Sequence, residues 1–139
     1  MLIRKYKKED YVQIKELISD VLKEIFSVAA SDLEDIENIP VNFELFLVAI
    51  DKEKIVGTIG LKNEEGIARI SRMYIHKYFR KKGLGKKLIE KIIVYCKNHK
   101  FQKIILTTYP QMNSKGFYEK MGFMVFKRDE RIWMKRNLG

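Results

Sequence analysis

Apolar and polar residues change period along the chain, and each change marks an element. "MLIRKY" alternates the two and predicts an opening strand. Over "KEDYVQIKELISDVLKEIF", Val12, Ile14, Leu17, Ile18, Val21, Leu22 and Ile25 recur at helical spacing, with Glu9 or Asp10 as cap or first-turn acid. Part of "SDLEDIENI" predicts a shorter helix, capped by Ser31 or Asp32 and ended by Pro40. "LFLVAI" and "IVGTIGLK" predict a hairpin across "DKEK", and "IARISRMYI" a longer strand after the turn "NEEG". The loop "RKKGLG" then opens a helix through "KKLIEKIIVYCKN". "KIILTTY" predicts a strand, "NSKGFYEKM" a short helix, and "GFMVFKR" and "RIWMKRNL" two closing strands. The order is β–α–α–β–β–β–α–β–α–β–β. Its hairpins make part of the sheet antiparallel, and the strand–helix–strand crossover from Ile67 to Thr107 makes one pair parallel. The fold class is α/β, a mixed sheet with helices on both faces.

Composition narrows this picture without overturning it. At 139 residues, 46% hydrophobic and 12% aromatic, the chain reads as one domain over residues 1–139, with enough apolar residues for a core. The single Cys96 excludes an intrachain disulfide and suits a reducing compartment. Cys96 falls within the helical pattern and reads as a core thiol. The basic start is followed by no apolar run of about 7–15 residues, so no secretory signal is expected, and the chain reads as cytoplasmic. The formal charge of +10 is spread along the chain, except at Lys77, Arg80, Lys81, Lys82, Lys86 and Lys87. Nucleic acid is a poor fit, because no helix–turn–helix, zinc or RNP signature accompanies the charge.

The dense cluster brackets the glycine loop. A helix N-terminus carries free N–H groups and partial positive charge, and both favour a phosphate. Gly83 and Gly85 remove the Cβ atoms that would hold a phosphate away, and they let the backbone form an anion nest. "RKKGLG" is neither a nucleoside-triphosphate P-loop nor a dinucleotide fingerprint.

Taken with "IARISRMYIHKYFRKKGLGKKLIEKII" and "TTYPQMNSKGFYEKMGF", the loop resembles the GNAT superfamily of acetyl-CoA-dependent N-acyltransferases. The resemblance spans essentially the whole chain and is strongest from Ile67 to Phe123. It implies about seven mixed strands whose parallel pair, Ile67–Ile75 and Lys103–Thr107, splays to admit the cofactor. Arg80, Gly83 and Gly85 match the family's Q/R-x-x-G-x-G/A signature. The resemblance therefore gives Arg80, Lys81, Lys82, Gly83, Leu84, Gly85 and Lys86 to the coenzyme A pyrophosphate. It gives the backbone of Met73, Tyr74 and Ile75 to the pantetheine arm, with a bulge aiming an N–H at the thioester. Tyr118, in "FYEKMGF", matches the tyrosine that protonates the departing thiolate. Gly122 fits a left-handed helix stop, with Phe123 as its apolar contact.

The implied activity is acetyl transfer from acetyl-CoA to a primary amine of a small molecule or peptide, with no metal and no membrane and with a homodimer left open. The chain departs from the pattern at Arg69, where many relatives carry a glutamate base, and at Gln111, where asparagine is frequent. Arginine cannot serve as a base. Glu64, Glu65, His76 and Glu44 are the remaining candidates, and Arg69 or Arg72 could instead meet a carboxylate on the acceptor. Asn113 or Ser114 is expected to cap the short helix. A non-catalytic acyl-CoA-binding module is the rival reading, because the base position is lost. The acceptor groove is expected between Phe26–Phe43 and Arg128–Trp133, where no motif is legible.

Overall fold

The computed structural model describes residues 1–27 and 32–139. Its strands are β1 (Leu2–Lys5), β2 (Leu45–Asp51), β3 (Lys54–Glu64), β4 (Ile67–Ile75), β5 (Lys103–Thr108), β6 (Met124–Arg128) and β7 (Ile132–Asn137). The α-helices are α1 (Tyr11–Phe26), α2 (Glu34–Glu37), α3 (Ile39–Asn42), α4 (Leu84–Asn98) and α5 (Lys115–Lys120). One seven-stranded sheet runs in the order β1-β2-β3-β4-β5-β7-β6. Every neighbouring pair is antiparallel except β4 and β5.

The two faces of the sheet bury different helices. Ile14, Leu17, Ile18 and Val21 of α1 pack with Ile36, Ile39, Phe43, Phe46, Val48 and Ile55. On the other face, Leu84, Leu88, Ile89, Ile92, Ile93 and Cys96 of α4 meet Ile59, Leu61, Ile104, Leu106 and Met134. The apolar spacing of each helix is therefore spent on one side, as an amphipathic pattern requires.

Two local readings are corrected. Pro40 does not end a helix; it lies in the first turn of α3, where the N–H that proline lacks has no intrahelical partner anyway. The Ser31 cap lies outside the described residues, and Leu33 holds the N-cap position of α2, with Asp32 accepting only a long 3.5 Å bond from the Glu34 N–H. Asp10 stands at the start of α1, but its carboxylate faces backward, taking the Lys7 N–H at 2.8 Å and both Arg4 nitrogens. Gly122 does stop α5. Its φ is 89°, its N–H reaches the Glu119 carbonyl, and the Phe123 N–H reaches the Tyr118 carbonyl. Those are the paired bonds of a Schellman stop.

Candidate active site

The parallel pair is brief. β4 and β5 pair only at Ala68↔Ile104 and Arg69↔Ile105. Beyond Arg69 the strands separate, and the side of β4 that faced β5 has no ladder partner. A cleft of about 760 Å³ occupies the gap, lined by Arg69 to Tyr74 of β4, Leu106 to Tyr109 of β5 and Tyr118.

β4 also bulges inside the cleft. Thr58 faces Tyr74 and Gly60 faces Ser71, so Arg72 and Met73 together oppose Ile59. Arg72 has φ 55°, a left-handed conformation that is uncommon for a residue with a side chain. Contacts at each end hold it there. The buried Thr58 Oγ1 donates to the Arg72 carbonyl at 2.9 Å. The Arg72 guanidinium forks onto Asp35, with Nη2 2.9 Å from Oδ1 and Nε 3.0 Å from Oδ2, and it donates to the Asp32 carbonyl at 2.8 Å. Lys62 adds an ion pair to Asp35 at 3.3 Å. Burial alone would raise the Asp35 carboxyl, but the Arg72 hydrogen bonds and the two cations hold it below the ordinary carboxylate range. Asp35 was not singled out from the sequence.

Tyr118 reaches the bulge from α5. Its side chain is buried, and its hydroxyl donates to Met73 Sδ at 3.5 Å. Burial, with a smaller effect of Tyr74, pushes that hydroxyl well above its ordinary value. Ser114 occupies the N-cap position of α5, but its hydroxyl pairs with Thr108 Oγ1 at 2.8 Å and not with a helix N–H. Asn113, in a left-handed conformation, closes the preceding 3₁₀ turn.

The glycine loop lies at the far end of β4. Gly83 is the N-cap of α4, with φ 87°, and a Cβ there would meet nothing within 4 Å. The first intrahelical bond joins the Lys87 N–H to the Gly83 carbonyl, so the preceding N–H groups of the turn point out of the helix. The Leu84 side chain is buried in the core and anchors this start. Gly85 differs from expectation. A Cβ on it would lie 3.2 Å from Phe117 Cζ and 3.3 Å from Ile75 Cδ1, so this glycine makes room for protein packing. Arg80 is also tied down. Its Nε donates to the Ile75 carbonyl at 2.9 Å, and its other nitrogens bind Glu24 of α1 at 2.7 and 3.0 Å. Lys81, Lys82 and Lys86 are exposed around the loop.

Of the sequence candidates for a base, none lines the cleft. Glu64 pairs with Arg69 at 3.4 Å, and Glu65 lies in the exposed turn after β3. His76 Nδ1 accepts the Tyr78 N–H, and Glu44 accepts the Tyr95 hydroxyl. Gln111 is exposed in its 3₁₀ turn. The carboxylates that do line the cleft are Asp32, Glu34 and Asp35. They come from a segment in which no motif is legible, and Arg131 comes from another, the turn before β7.

The site fits an extended chain ending in a phosphate. An open strand edge offers backbone groups along its length, and a helix start with an unobstructed glycine follows at its end. The chain is similar to known proteins over most of its length. The family model described as Acetyltransferase (GNAT) family matches residues 12–123. A GNAT-family acetyltransferase from Staphylococcus aureus is 28% identical, with 99% of each chain covered and a TM-score of 0.91. The PaiA N-acetyltransferase of Thermoplasma acidophilum, solved with coenzyme A, shares the fold at 22% identity, 98% coverage of each chain and a TM-score of 0.84. N-acetylaspartate synthetase of Xenopus tropicalis is 26% identical over 108 residues, which is 74% of this chain and 40% of that protein. The chain thus spans less than half the length of this curated relative.

Proposed function

Because the chain belongs to the acetyltransferase (GNAT) family, whose cofactor is acetyl-CoA, we propose that it acetylates a primary amine of a small molecule or peptide by direct attack. One observation carries the reading: β4 parts from β5 after Arg69, and the gap holds a bulge, the Tyr118 hydroxyl and, at its end, the start of α4.

Acetyl-CoA supplies a thioester whose carbonyl carbon accepts the amine nitrogen and whose sulfur leaves. In this reading the unpaired edge of Met73 and Tyr74 holds the pantetheine arm. The N–H groups from Gly83 to Lys86 hold the pyrophosphate, while Lys81 and Lys82 add charge at the rim. Arg80 acts as a strut, since its guanidinium ties the loop to α1 and to the end of β4. Tyr118 keeps its proton at neutral pH and donates it to the sulfur as the C–S bond breaks. A high phenol pKa does not forbid this step. The burial that disfavours the phenolate disfavours a thiolate in the same place, so the difference between the two is largely preserved. Asp32 and Glu34 are the cleft carboxylates outside the ion pairs, and we assign to them the ammonium proton, relayed through water. Among the described residues no helix is long and apolar enough to cross a membrane. The cytoplasm, a reducing compartment, is the proposed setting.

Acetyl-CoA at about 100 times its dissociation constant should stabilise the fold by roughly 2.7 kcal/mol. An unchanged melting temperature at millimolar acetyl-CoA overturns the cofactor site. A clear shift without coenzyme A release on any of a panel of amines leaves the non-catalytic binding module as the better reading.

A further inference from the structure

We propose that the acceptor is a small amine that carries a carboxylate, gripped by Arg69 and Arg131. This rests on the acetyl-transfer reading above and names its substrate class.

The cations of the cleft fall into two groups. Arg72 and Lys62 are committed to Asp35. Arg69 and Arg131 are not held this way. The Arg69 contacts are long, 3.4 Å to Glu64 Oε1 and 3.3 Å to Thr107 Oγ1, and Glu64 is half exposed to water. Among the described residues, the buried Nε of Arg131 has no hydrogen-bond partner. Its neighbour Asp129 pairs with that nitrogen only at 3.7 Å, while its oxygens accept the Arg131 N–H at 2.7 Å and the Trp133 Nε1–H at 3.1 Å. A buried donor left unmatched is unfavourable, and Arg131 lines the cleft, where a ligand oxygen can meet the rest of its guanidinium.

Trp133 organises the pair. The Arg69 and Arg131 guanidinium carbons lie 5.5 and 4.4 Å from the centre of its ring. Stacking on an aromatic face presents the planar donor fork without fixing a flexible stem anew, and a carboxylate accepts such a fork through both oxygens. The position of Arg69 sharpens the argument. A carboxylate there would attract the acceptor's ammonium, whereas a guanidinium repels it and attracts an anion.

The cleft is therefore divided by charge. Asp32 and Glu34 lie where the chain meets Arg72, and the Arg69–Arg131 pair lies against Trp133. Arg69 precedes the bulge at Arg72 on the same strand, at about 10 Å by strand rise. An amino acid placed with its amine toward the bulge and its carboxylate toward the arginines bridges that interval, with the long arginine side chains closing the remainder.

The test measures acetyl-CoA-dependent coenzyme A release by the full chain. The acceptors are the common amino acids, their carboxamides, spermidine and O-phosphoethanolamine. At least one amino acid should exceed its own carboxamide by about tenfold or more in kcat/KM, the scale of a lost charged hydrogen bond. Arg131→Gln and Arg69→Gln should raise KM for the acid toward that of the amide. The KM for acetyl-CoA and the thermal shift that it produces should stay unchanged, which also certifies that the variants fold. Arg131→Lys, which keeps the charge but loses the fork, should fall between. Carboxamides or spermidine turned over as well as the acids overturn the proposal, and O-phosphoethanolamine as the best acceptor reassigns the anion. If no amine is turned over although acetyl-CoA binds, the transfer reading fails separately. The anion site is then read from the melting shift of coenzyme A-loaded protein with the same amino acids, and a shift indifferent to Arg131→Gln overturns it.

Discussion

Replacing Asp35 with asparagine removes one charge and keeps the shape of the side chain. In the wild type Arg72 places Nε 3.0 Å from Oδ2 and Nη2 2.9 Å from Oδ1, and Lys62 stands 3.3 Å away. The pair is largely shielded, with the Asp35 side chain 17% exposed and that of Arg72 15%. Removing one partner of a fully buried pair costs about 3–5 kcal/mol, and an exposed pair contributes about 0–1 kcal/mol. Partial shielding and the retained amide oxygen place Asp35→Asn between these, at about 2–3 kcal/mol. For a chain of this length each kcal/mol moves the midpoint by about 3–5 °C, so melting should fall by roughly 6–15 °C at pH 7. The pH dependence separates this cause from a packing defect. Folded Asp35 titrates below its ordinary value, so its contribution is complete above about pH 5 and declines as pH falls toward and through the folded pKa. Thermal melts of both proteins from pH 7 to pH 3 should show a constant gap down to about pH 5 and a narrowing gap below it. A gap under about 2 °C at pH 7, or one that widens in acid, would rule out the ion pair as the source of the loss.

Tyr118→Phe keeps the ring and should lower kcat by about 10²- to 10⁴-fold, with the KM for acetyl-CoA and the melting temperature near wild type; an undiminished single-turnover rate returns this tyrosine to a packing role. Gly83→Val should weaken coenzyme A binding sharply in a titration, because it adds a side chain at φ 87° beside the outward N–H groups. Gly85→Val should instead lower the melting temperature first, since Phe117 and Ile75 already occupy the space, and equal effects at the two glycines would count against this division. Cys96, whose thiol burial and then Glu44 push up to about 12, should resist iodoacetamide at pH 8 until the protein is unfolded, as mass spectrometry can follow.

What could be read from the chain was what neighbours in sequence decide. β4 runs from Ile67 to Ile75, the span of "IARISRMYI" after its turn, and "RKKGLG" and "FYEKMGF" place the helix start and Tyr118, because each is a short segment that sets its own geometry. The supports of the site were not legible. Arg72 and Asp35 are 37 positions apart, and Arg69 meets Thr107 across 38. No local period encodes such pairs. The bulge was expected, but its left-handed residue is an arginine, which carries none of the signal a glycine would. Gly85 marks the same limit from the other side. In the sequence Gly85 reads as making room for a phosphate, while the fold puts Phe117 and Ile75 in the space a Cβ would take. Pro40 reads as a stop because proline breaks a helix interior, and the fold uses its other tolerance, the first turn.

The brief contact between β4 and β5 also has a mechanical meaning. The ladder from β1 to β4 and the ladder of β5, β7 and β6 meet at two residue pairs and are otherwise separate stacks of hydrogen bonds. What joins them is the apolar layer beneath α4, to which both contribute, Leu61 and Ala68 from one side and Ile104, Leu106 and Met134 from the other. The sheet is therefore a book bound along one cover, with its spine under α4 and its pages open toward the cleft. A strand edge exposed at the rim of a sheet invites another molecule of the same kind, but an edge in the gutter of this book admits only something narrow enough to lie between the pages. On the proposed reading, a guest that hydrogen-bonds to the unpaired edge of β4 lengthens that ladder into the gap only while it remains.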